Sequence, residues 1–539
     1  MKRYVYPSRI VATEGDVTNA EALLLEKTLQ IGLAEKELIV FKGKASVILD
    51  FGKELAGGAR VLTYGAKGNK KVRFRFGESV SETCAELGEK HACNDHSNRD
   101  FEAILQSYSD MTFGQSGFRF LRIDTLDEEA EIKLKTVVAA TSIDERKEVG
   151  YFECDDEKVN EIWKTATYTL RLCLQNGYFW DGIKRDRLVW IGDLYPEMRA
   201  AHCLFGDIPE TENSLRYAMN GRPANSWMDG IPAYSLWWLI ILAEEYSLRK
   251  DTAWAEEFIP YAEEVLAFVD GFIGEDGTTD YPQNFVDWPT KYTEGEPIEK
   301  KTDSAAGVYY LTKKTLEKVK CLPLSKAALA RVTAMEARLS KHQPKVVKYK
   351  QISGIGVWAG DLSKNNEKII LEGGAQGMST FLSYFILTGA AAYGKYDEAL
   401  CMLKDYYGGM LSVGATSFWE DFDLEWLKDA GRIDELPVAG KKDIHGDYGK
   451  FCYRGFRHSF CHGWSAGVVP FLAETVLGVK PLEKGFKKVA IAPKLCGLKR
   501  VRGGVPTPYG LIEVEHILQS DGQVKTTYFA PKEMEIVLK

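Results

Sequence analysis

Cys154-Asp-Asp-Glu-Lys-Val-Asn-Glu-Ile-Trp-Lys-Thr-Ala-Thr-Tyr-Thr-Leu-Arg-Leu-Cys-Leu-Gln175 divides the chain into two kinds of pattern. From Lys158 the apolar residues recur at helical spacing, and this predicts a helix from Lys158 to Gln175. Similar stretches follow from Ser235 to Leu248, Glu256 to Val269, Ser304 to Val319, Ser325 to Ser340, Glu372 to Thr388, Tyr396 to Tyr406 and Trp464 to Leu477. Loops rich in Trp, Asp and Gly interrupt them. Before Cys154 the period is two. Ala45-Ser-Val-Ile-Leu-Asp-Phe51, Ala59-Arg-Val-Leu-Thr-Tyr64, Lys71-Val-Arg-Phe-Arg-Phe76, Gly117-Phe-Arg-Phe-Leu-Arg-Ile-Asp124 and Ala130-Glu-Ile-Lys-Leu-Lys-Thr-Val137 read as strands. Strands return near Gly485, in Lys488-Val-Ala-Ile-Ala492, Ile512-Glu-Val-Glu-His516, Lys525-Thr-Thr-Tyr-Phe529 and Met534-Glu-Ile-Val-Leu538.

The expected architecture is therefore multidomain and mainly α. An N-terminal β-sandwich or jelly roll spans 1–148, a helical catalytic domain 149–478, and a small C-terminal β-sandwich 479–539. About a dozen helices are what an (α/α)6 barrel needs. A helical solenoid is the competing layout, but no internal repeat of fixed period is present. A chain of 539 residues is too long for one core, which agrees with several domains.

Composition excludes several function classes. The net charge of -8 gives no footprint for a polyanionic partner such as nucleic acid. No stretch approaches the length of an apolar membrane span, and the N-terminus lacks an apolar signal core. As written, the chain reads as cytoplasmic, although one trimmed of a signal peptide would look the same. The 10 cysteines lack paired CxxC spacing and read as free thiols. There is no P-loop, no GxGxxG between a strand and a helix, and no GxSxG elbow. With 12 Trp and 26 Tyr, there are aromatic faces to spare for the C–H side of a sugar, although core packing accounts for most of them.

The chemistry concentrates in Trp180-Asp-Gly-Ile-Lys-Arg-Asp-Arg-Leu-Val-Trp-Ile-Gly-Asp193. Asp181, Asp186 and Asp193 are interleaved with Lys184, Arg185, Arg187 and Trp190 in a loop between two helices. A solvated salt-bridge loop is the plain alternative, but the interleaved apolar residues argue against it. Glycosidic cleavage needs two carboxyl groups, one protonated and one acting as base or nucleophile. The best second acid is Glu420, in Gly414-Ala-Thr-Ser-Phe-Trp-Glu-Asp-Phe-Asp423 beside Trp419. Two other aromatic–acid runs place Trp227 with Asp229, and Asp287 with Trp288. Arg454-Gly-Phe-Arg-His-Ser-Phe-Cys-His-Gly-Trp-Ser-Ala-Gly467 adds His462 and Trp464, the former either a donor to a substrate hydroxyl or a packing histidine.

These motifs resemble the α-L-rhamnosidases of glycoside hydrolase family 78. The segment Asp181–Asp193 is similar to a family pattern of approximately Asp-x-x-x-Arg-Glu-x-x-x-Trp-x-Gly-Asp. Phe285-Val-Asp-Trp288, Thr416-Ser-Phe-Trp-Glu420, Ser459-Phe-Cys-His-Gly-Trp464 and the tail from Gly485 through Gly510 agree in order. The resemblance implies a six-hairpin glycosidase that releases α-L-rhamnose, or a similar α-L-sugar, with inversion and without a cofactor. It implies Asp186 as general acid and Glu420 as general base. Asp181, Arg185, Trp190, Asp193, Trp288 and the aromatic–acid residues above are left to bind sugar. Inversion would hold the two carboxyls about 6.5–9.5 Å apart, against about 5 Å for retention. In one respect the chain departs from the family, which carries Glu where this chain has Asp186. Aspartate is one methylene shorter, so the backbone must bring it inward.

His91-Ala-Cys-Asn-Asp-His96 is the segment nearest to a metal motif. It lacks a complete tetrahedral set, and a loop projecting toward the cleft is the preferred reading. The expected partner is a carbohydrate, and homo-oligomerisation stays open. A non-catalytic carbohydrate-binding protein on a decayed hydrolase fold, and a hydrolase of another sugar, are the alternative functions.

Overall fold

The computed structural model describes residues 3–68, 70–206 and 208–539. The N-terminal part is one seven-stranded antiparallel sheet. Its strands are β1 (Arg3–Val5), β2 (Arg9–Thr18), β3 (Ile39–Lys67), β4 (Lys71–Gly77), β5 (Asp100–Ile104), β6 (Ser109–Thr125) and β7 (Glu131–Thr141). The long β3 pairs with β2, β6 and β7, and its register shifts near residues 50–58. Such irregularities bend a strand and let one segment serve several neighbours. Phe41, Val47, Leu49, Phe74, Phe76, Phe118 and Val137 form the core of this part. The five-residue helix α1 (Val80–Cys84) and the loop after it leave the sheet on the side that faces the helices.

Strand β8 (Tyr151–Cys154) ends at the opening segment quoted above, and α2 (Glu157–Cys173) follows. Asp156 caps α2 by accepting from Lys158 N and Val159 N at 3.0 and 3.3 Å. The helix gives way to the short hairpin β9–β10 (Leu174–Gln175 with Tyr178–Phe179). Its two-residue turn, Asn176-Gly177, has φ of 54° and 81°. Only a primed turn has both central residues in that region, and Asn-Gly favours it. The hairpin turns the chain back into the acidic loop.

The remaining helices are α3 (Ile191–Phe205), α4 (Pro209–Met219), α5 (Pro232–Leu248), α6 (Ile259–Asp270), α7 (Ile298–Val319), α8 (Lys326–Leu339), α9 (Lys350–Trp358), α10 (Lys364–Leu371), α11 (Ser383–Ala392), α12 (Tyr396–Ser412) and α13 (Val468–Phe471). Alternate helices neighbour one another: α3 packs on α5, α5 on α7, α7 on α9, α9 on α11, α11 on α13, and α13 on α3. Burial follows this order. Helix α5 is apolar on every side and is buried from Leu236 to Glu245, whereas α8 buries only the stripe Ala328, Val332, Met335 and Leu339. Two predicted helices differ. Residues 373–382 are turns, because Gly373, Gly374 and Gly377 take φ of 69°, 59° and 74°. The last helix is broken into a 3-10 turn, the short α13 and a π turn.

The chain ends in two small sheets. Strands β11 (Val479–Pro481), β12 (Lys488–Ile491) and β16 (Glu535–Leu538) form one. Strands β13 (Arg500–Thr507), β14 (Gly510–Leu518) and β15 (Val524–Phe529) form the other, and β8 from the far side of the helices completes it. No described helix is long and apolar enough to cross a membrane.

Candidate active site

The acidic loop is closed at its base by Asp181. Its N–H donates to Leu188 O at 3.0 Å, and its Oδ1 accepts from Leu188 N at 2.8 Å. Between these bonds Asp186 and Arg187 take φ of 40° and 58°, so two successive residues are left-handed without being glycine. The loop ends where α3 begins, which puts Asp193 in the first turn of that helix.

Arg185 organises what the loop presents. Its Nη2 donates to both oxygens of Glu420 at 2.6 and 2.5 Å, Nη1 to Asp186 Oδ1 at 2.9 Å, and Nε to Arg457 O at 2.6 Å. One buried guanidinium thus joins two carboxylates from distant parts of the chain, which its planar fork suits. Glu420 is further held by Ser459 N at 3.2 Å. Trp190 Nε1 donates to Asp186 Oδ2 at 3.1 Å, and Trp464 Nε1 to Glu420 O at 2.9 Å. Both tryptophans are oriented by the acids they accompany.

His462 stands among the carboxyls. Its Nδ1 lies 3.6 Å from Asp193 Oδ1, and its Nε2 lies 3.7 Å from Asp181 Oδ2 and 3.9 Å from Glu420 Oε1. Burial and the Arg185 charge hold its imidazole well below its ordinary range, so it is neutral. Burial, reinforced by neighbouring carboxylates, pushes Asp181 and Asp193 well above the usual carboxylate range. Asp186 goes the other way. Burial pushes it up, but the Arg185 charge, the Trp190 N–H and His96 outweigh that and hold it below its ordinary value.

These groups line a cleft of about 230 Å³ together with Trp288, Phe285, Tyr234, Lys291, Cys452 and Arg457. Of the residues singled out in the sequence, Asp181, Arg185, Asp186, Trp190, Asp193, Trp288, Glu420, His462 and Trp464 meet here. Four do not line it. Trp227 packs between Phe268, Phe272 and Tyr281, with ring centroids 4.6–5.3 Å away. Asp229 is tied to Arg222 at 2.6 Å. Trp419 is 0% exposed and stacks on Phe460 at 3.9 Å, because neighbours in an extended segment point opposite ways and Glu420 takes the cleft side. Asp287 lies beneath Trp288, accepting from Trp288 N at 2.8 Å and Ser379 Oγ at 2.5 Å, and burial pushes its carboxyl up to about 6. Phe285 and Arg457 lie inside runs quoted above without being given a role, and Tyr234 lies five residues beyond Asp229.

Glu78, Glu82 and His445 form a buried group with metal-like spacing behind the loop. Lys184 Nζ already fills it, 2.9 Å from Glu78 and 3.2 Å from Glu82. A lysine ammonium therefore supplies the positive charge there.

Behind His462, Gly463 is packed against Glu197. A Cβ on residue 463 would fall 1.6 Å from Glu197 Oε1, and that carboxyl is itself buried. Gly463→Ala is expected to cost about 1–3 kcal/mol, the range for overpacking, and to displace His462 and Trp464 on either side. Thermal melting and sugar affinity measured together check this, with Glu197→Ala in the same chain relieving the clash. An unchanged melting temperature in the single variant would refute the contact.

Residues 147–320 match the bacterial α-L-rhamnosidase six-hairpin glycosidase domain, and residues 478–539 match the bacterial α-L-rhamnosidase C-terminal domain. The chain resembles the α-L-rhamnosidases of family 78. An α-L-rhamnosidase of Alteromonas sp. (strain LOR) is 24% identical over 539 residues, covering 89% of this chain and 54% of that protein. The rhamnosidase-like chain thus spans about half the length of that curated relative. A family 78 rhamnosidase structure from Bacillus sp. GL1 superposes with a TM-score of 0.74 at 20% identity, covering 97% of this chain and 55% of that one. A Klebsiella oxytoca rhamnosidase with rhamnose bound gives 0.67 at 18% identity, covering 88% and 95%. At these identities the solved structures establish the fold, a multidomain six-hairpin glycosidase fold.

Proposed function

We propose that this rhamnosidase-like chain is an inverting glycoside hydrolase that releases a terminal α-L-rhamnose, or a similar α-L-sugar, from an oligosaccharide or glycoside. The observation that carries the reading is the convergence of Asp181, Asp186, Asp193 and Glu420 in one small cleft walled by Trp190, Trp288 and Trp464. The cleft suits a single pyranose ring. Asp186 protonates the departing oxygen, and Glu420 takes a proton from the water that attacks the opposite face. Asp181, Asp193 and neutral His462 hold the sugar hydroxyls. Arg185 bonds both carboxylates and positions Glu420 against Asp186.

The alternating helix contacts described above support reading α3, α5, α7, α9, α11 and α13 as the inner ring of an (α/α)6 barrel. The ten unpaired cysteines favour a reducing compartment.

Hydrolysis of an aryl α-L-rhamnopyranoside followed by NMR tests the assignment. The first-formed sugar is expected as the β anomer, and a first-formed α anomer rules out inversion. One observation favours a second reading, a sugar-binding protein without turnover. Asp186 is both shorter than the residue it replaces and held below its ordinary carboxyl range. Rhamnose binding without hydrolysis of any aryl glycoside would decide for that reading.

A further inference from the structure

The N-terminal part sends one loop against the acidic loop that carries Asp186. It runs from Gly88 to Ser97 and is anchored at three successive residues. Asp95 Oδ2 accepts from Arg457 Nε at 2.8 Å, and Ser97 Oγ donates to Lys184 O at 2.7 Å. Between them His96, itself left-handed at φ 64°, places Nδ1 3.1 Å from Asp186 O and 3.3 Å from Asp186 Oδ1. A carbonyl oxygen only accepts, so Nδ1 carries the proton and points it at Asp186. The imidazole is 39% exposed on its other side.

We propose that His96 is a positioning residue for Asp186, which fixes the left-handed backbone of that residue and relays a proton from solvent to its carboxylate. This rests on Asp186 being the acid of the proposed hydrolase. The need for such a residue follows from the site. Arg185, Trp190 and His96 all donate to or face the Asp186 carboxylate and favour its ionised form, so the proton it gives must be delivered to it. The other charged groups near the pair are Glu420, Asp181 and Asp193 on the cleft side, and the Asp95–Arg457 ion pair on the loop side.

In the relay, the Nδ1–H bond of His96 breaks as an Oδ1–H bond forms on Asp186, while Nε2 on the exposed side takes a proton from water. That proton passes to the glycosidic oxygen, which keeps the electron pair of the breaking C–O bond. Asp186 is left as carboxylate, and His96, now the Nε2–H tautomer, returns to the Nδ1–H form by proton exchange with solvent. The proton released by the attacking water goes to Glu420, so the overall step is balanced. His96 also answers the missing methylene, because it holds the backbone of Asp186 rather than only its side chain.

The test compares wild type with His96→Gln on two α-L-rhamnosides. A methyl glycoside needs its leaving oxygen protonated, and a 2,4-dinitrophenyl glycoside does not. The expected result is a fall in kcat of about tenfold or more on the methyl glycoside, at the low end of general acid catalysis. Its pH profile changes, and the dinitrophenyl rate stays within about twofold. Equal losses on both substrates, or none on either, overturn the relay. Failure of wild type on both substrates overturns the hydrolase reading instead. The His96 contact is then judged by NMR of the Trp190 indole N–H, which bonds the same carboxylate. A change in the chemical shift and solvent-exchange rate of that N–H is expected in His96→Gln, and an unchanged signal overturns the inference.

Discussion

Glu420→Gln is expected to lower kcat on an aryl α-L-rhamnoside by about 10²–10⁴-fold, the range for loss of general acid–base catalysis, while rhamnose still binds. The amide keeps the shape of the side chain but cannot take a proton from water. Its effect on the site is more than the loss of a base. Arg185 Nη2 now bonds both Glu420 oxygens, and Ser459 N donates to one of them. An amide offers a single acceptor, and its NH2 group faces one of these donors. The guanidinium then leans on Asp186 alone, which holds that carboxyl lower still. The variant should therefore melt earlier than wild type, and the activity loss should not be rescued by substrates with better leaving groups. Isothermal titration with rhamnose and single-substrate kinetics separate the two effects. Undiminished turnover would remove Glu420 from the base role.

Lys184→Met should cost about 3–5 kcal/mol, the range for removing one partner from a buried ion pair. Lys184 Nζ donates to Phe456 O at 3.0 Å and His458 O at 2.5 Å, besides its two carboxylate partners. Glu78 and Glu82 come from the N-terminal sheet region, and the carbonyls come from the segment that carries His462. The cluster is a seam between the two parts. Glu78 also accepts from Phe460 N at 2.6 Å, so it holds the segment beside Glu420. Even with the lysine in place, burial pushes Glu78 up to about 7 from an ordinary 4.5. The folded state therefore binds this proton more tightly than the unfolded chain. Stability from that source is full below about 4.5 and is lost as pH rises through about 7. In the methionine variant both carboxyls lack a counter-ion, so its deficit should be greatest above neutral pH and shrink in acid. Urea unfolding of the two chains at pH 5 and pH 8 reads this directly. A loss below about 1 kcal/mol at pH 8, the worth of a surface pair, would show that the cluster is not a seam.

Much of the site was legible because it is local. Asp181, Asp186, Trp190 and Asp193 lie within thirteen positions, and one closed loop delivers all four to the cleft. Trp227, Asp229, Trp419 and Asp287 were chosen by the same rule, that aromatics beside acids mark a sugar site. The rule failed there for a geometric reason. In extended backbone adjacent side chains face opposite ways, and composition does not say which one faces the cleft, while Trp227 precedes and Asp229 lies within a 3-10 turn that turns both away from it. Trp419 and Glu420 are such a pair. The misplaced helix over residues 372–388 failed differently, since its apolar period outvoted three glycines that the backbone uses as left-handed turns.

Periodicity in the sequence determined where strands stop and helices begin, and the quoted turn at Cys154 is that boundary to within a few residues. The acid–aromatic motifs also named all four carboxyls of the cleft. Tertiary structure alone decided what those carboxyls meet. Arg185 reaches Glu420 across 235 positions, and Asp186 meets His96 across 90. Strand β8 joins a sheet whose other members lie beyond all the helices. The physical reason is that backbone hydrogen bonding and apolar period are local properties, written at spacings of two and 3.6 residues. The charge that sets a proton on Asp186 is a through-space property, and it depends on folding three distant segments onto one loop.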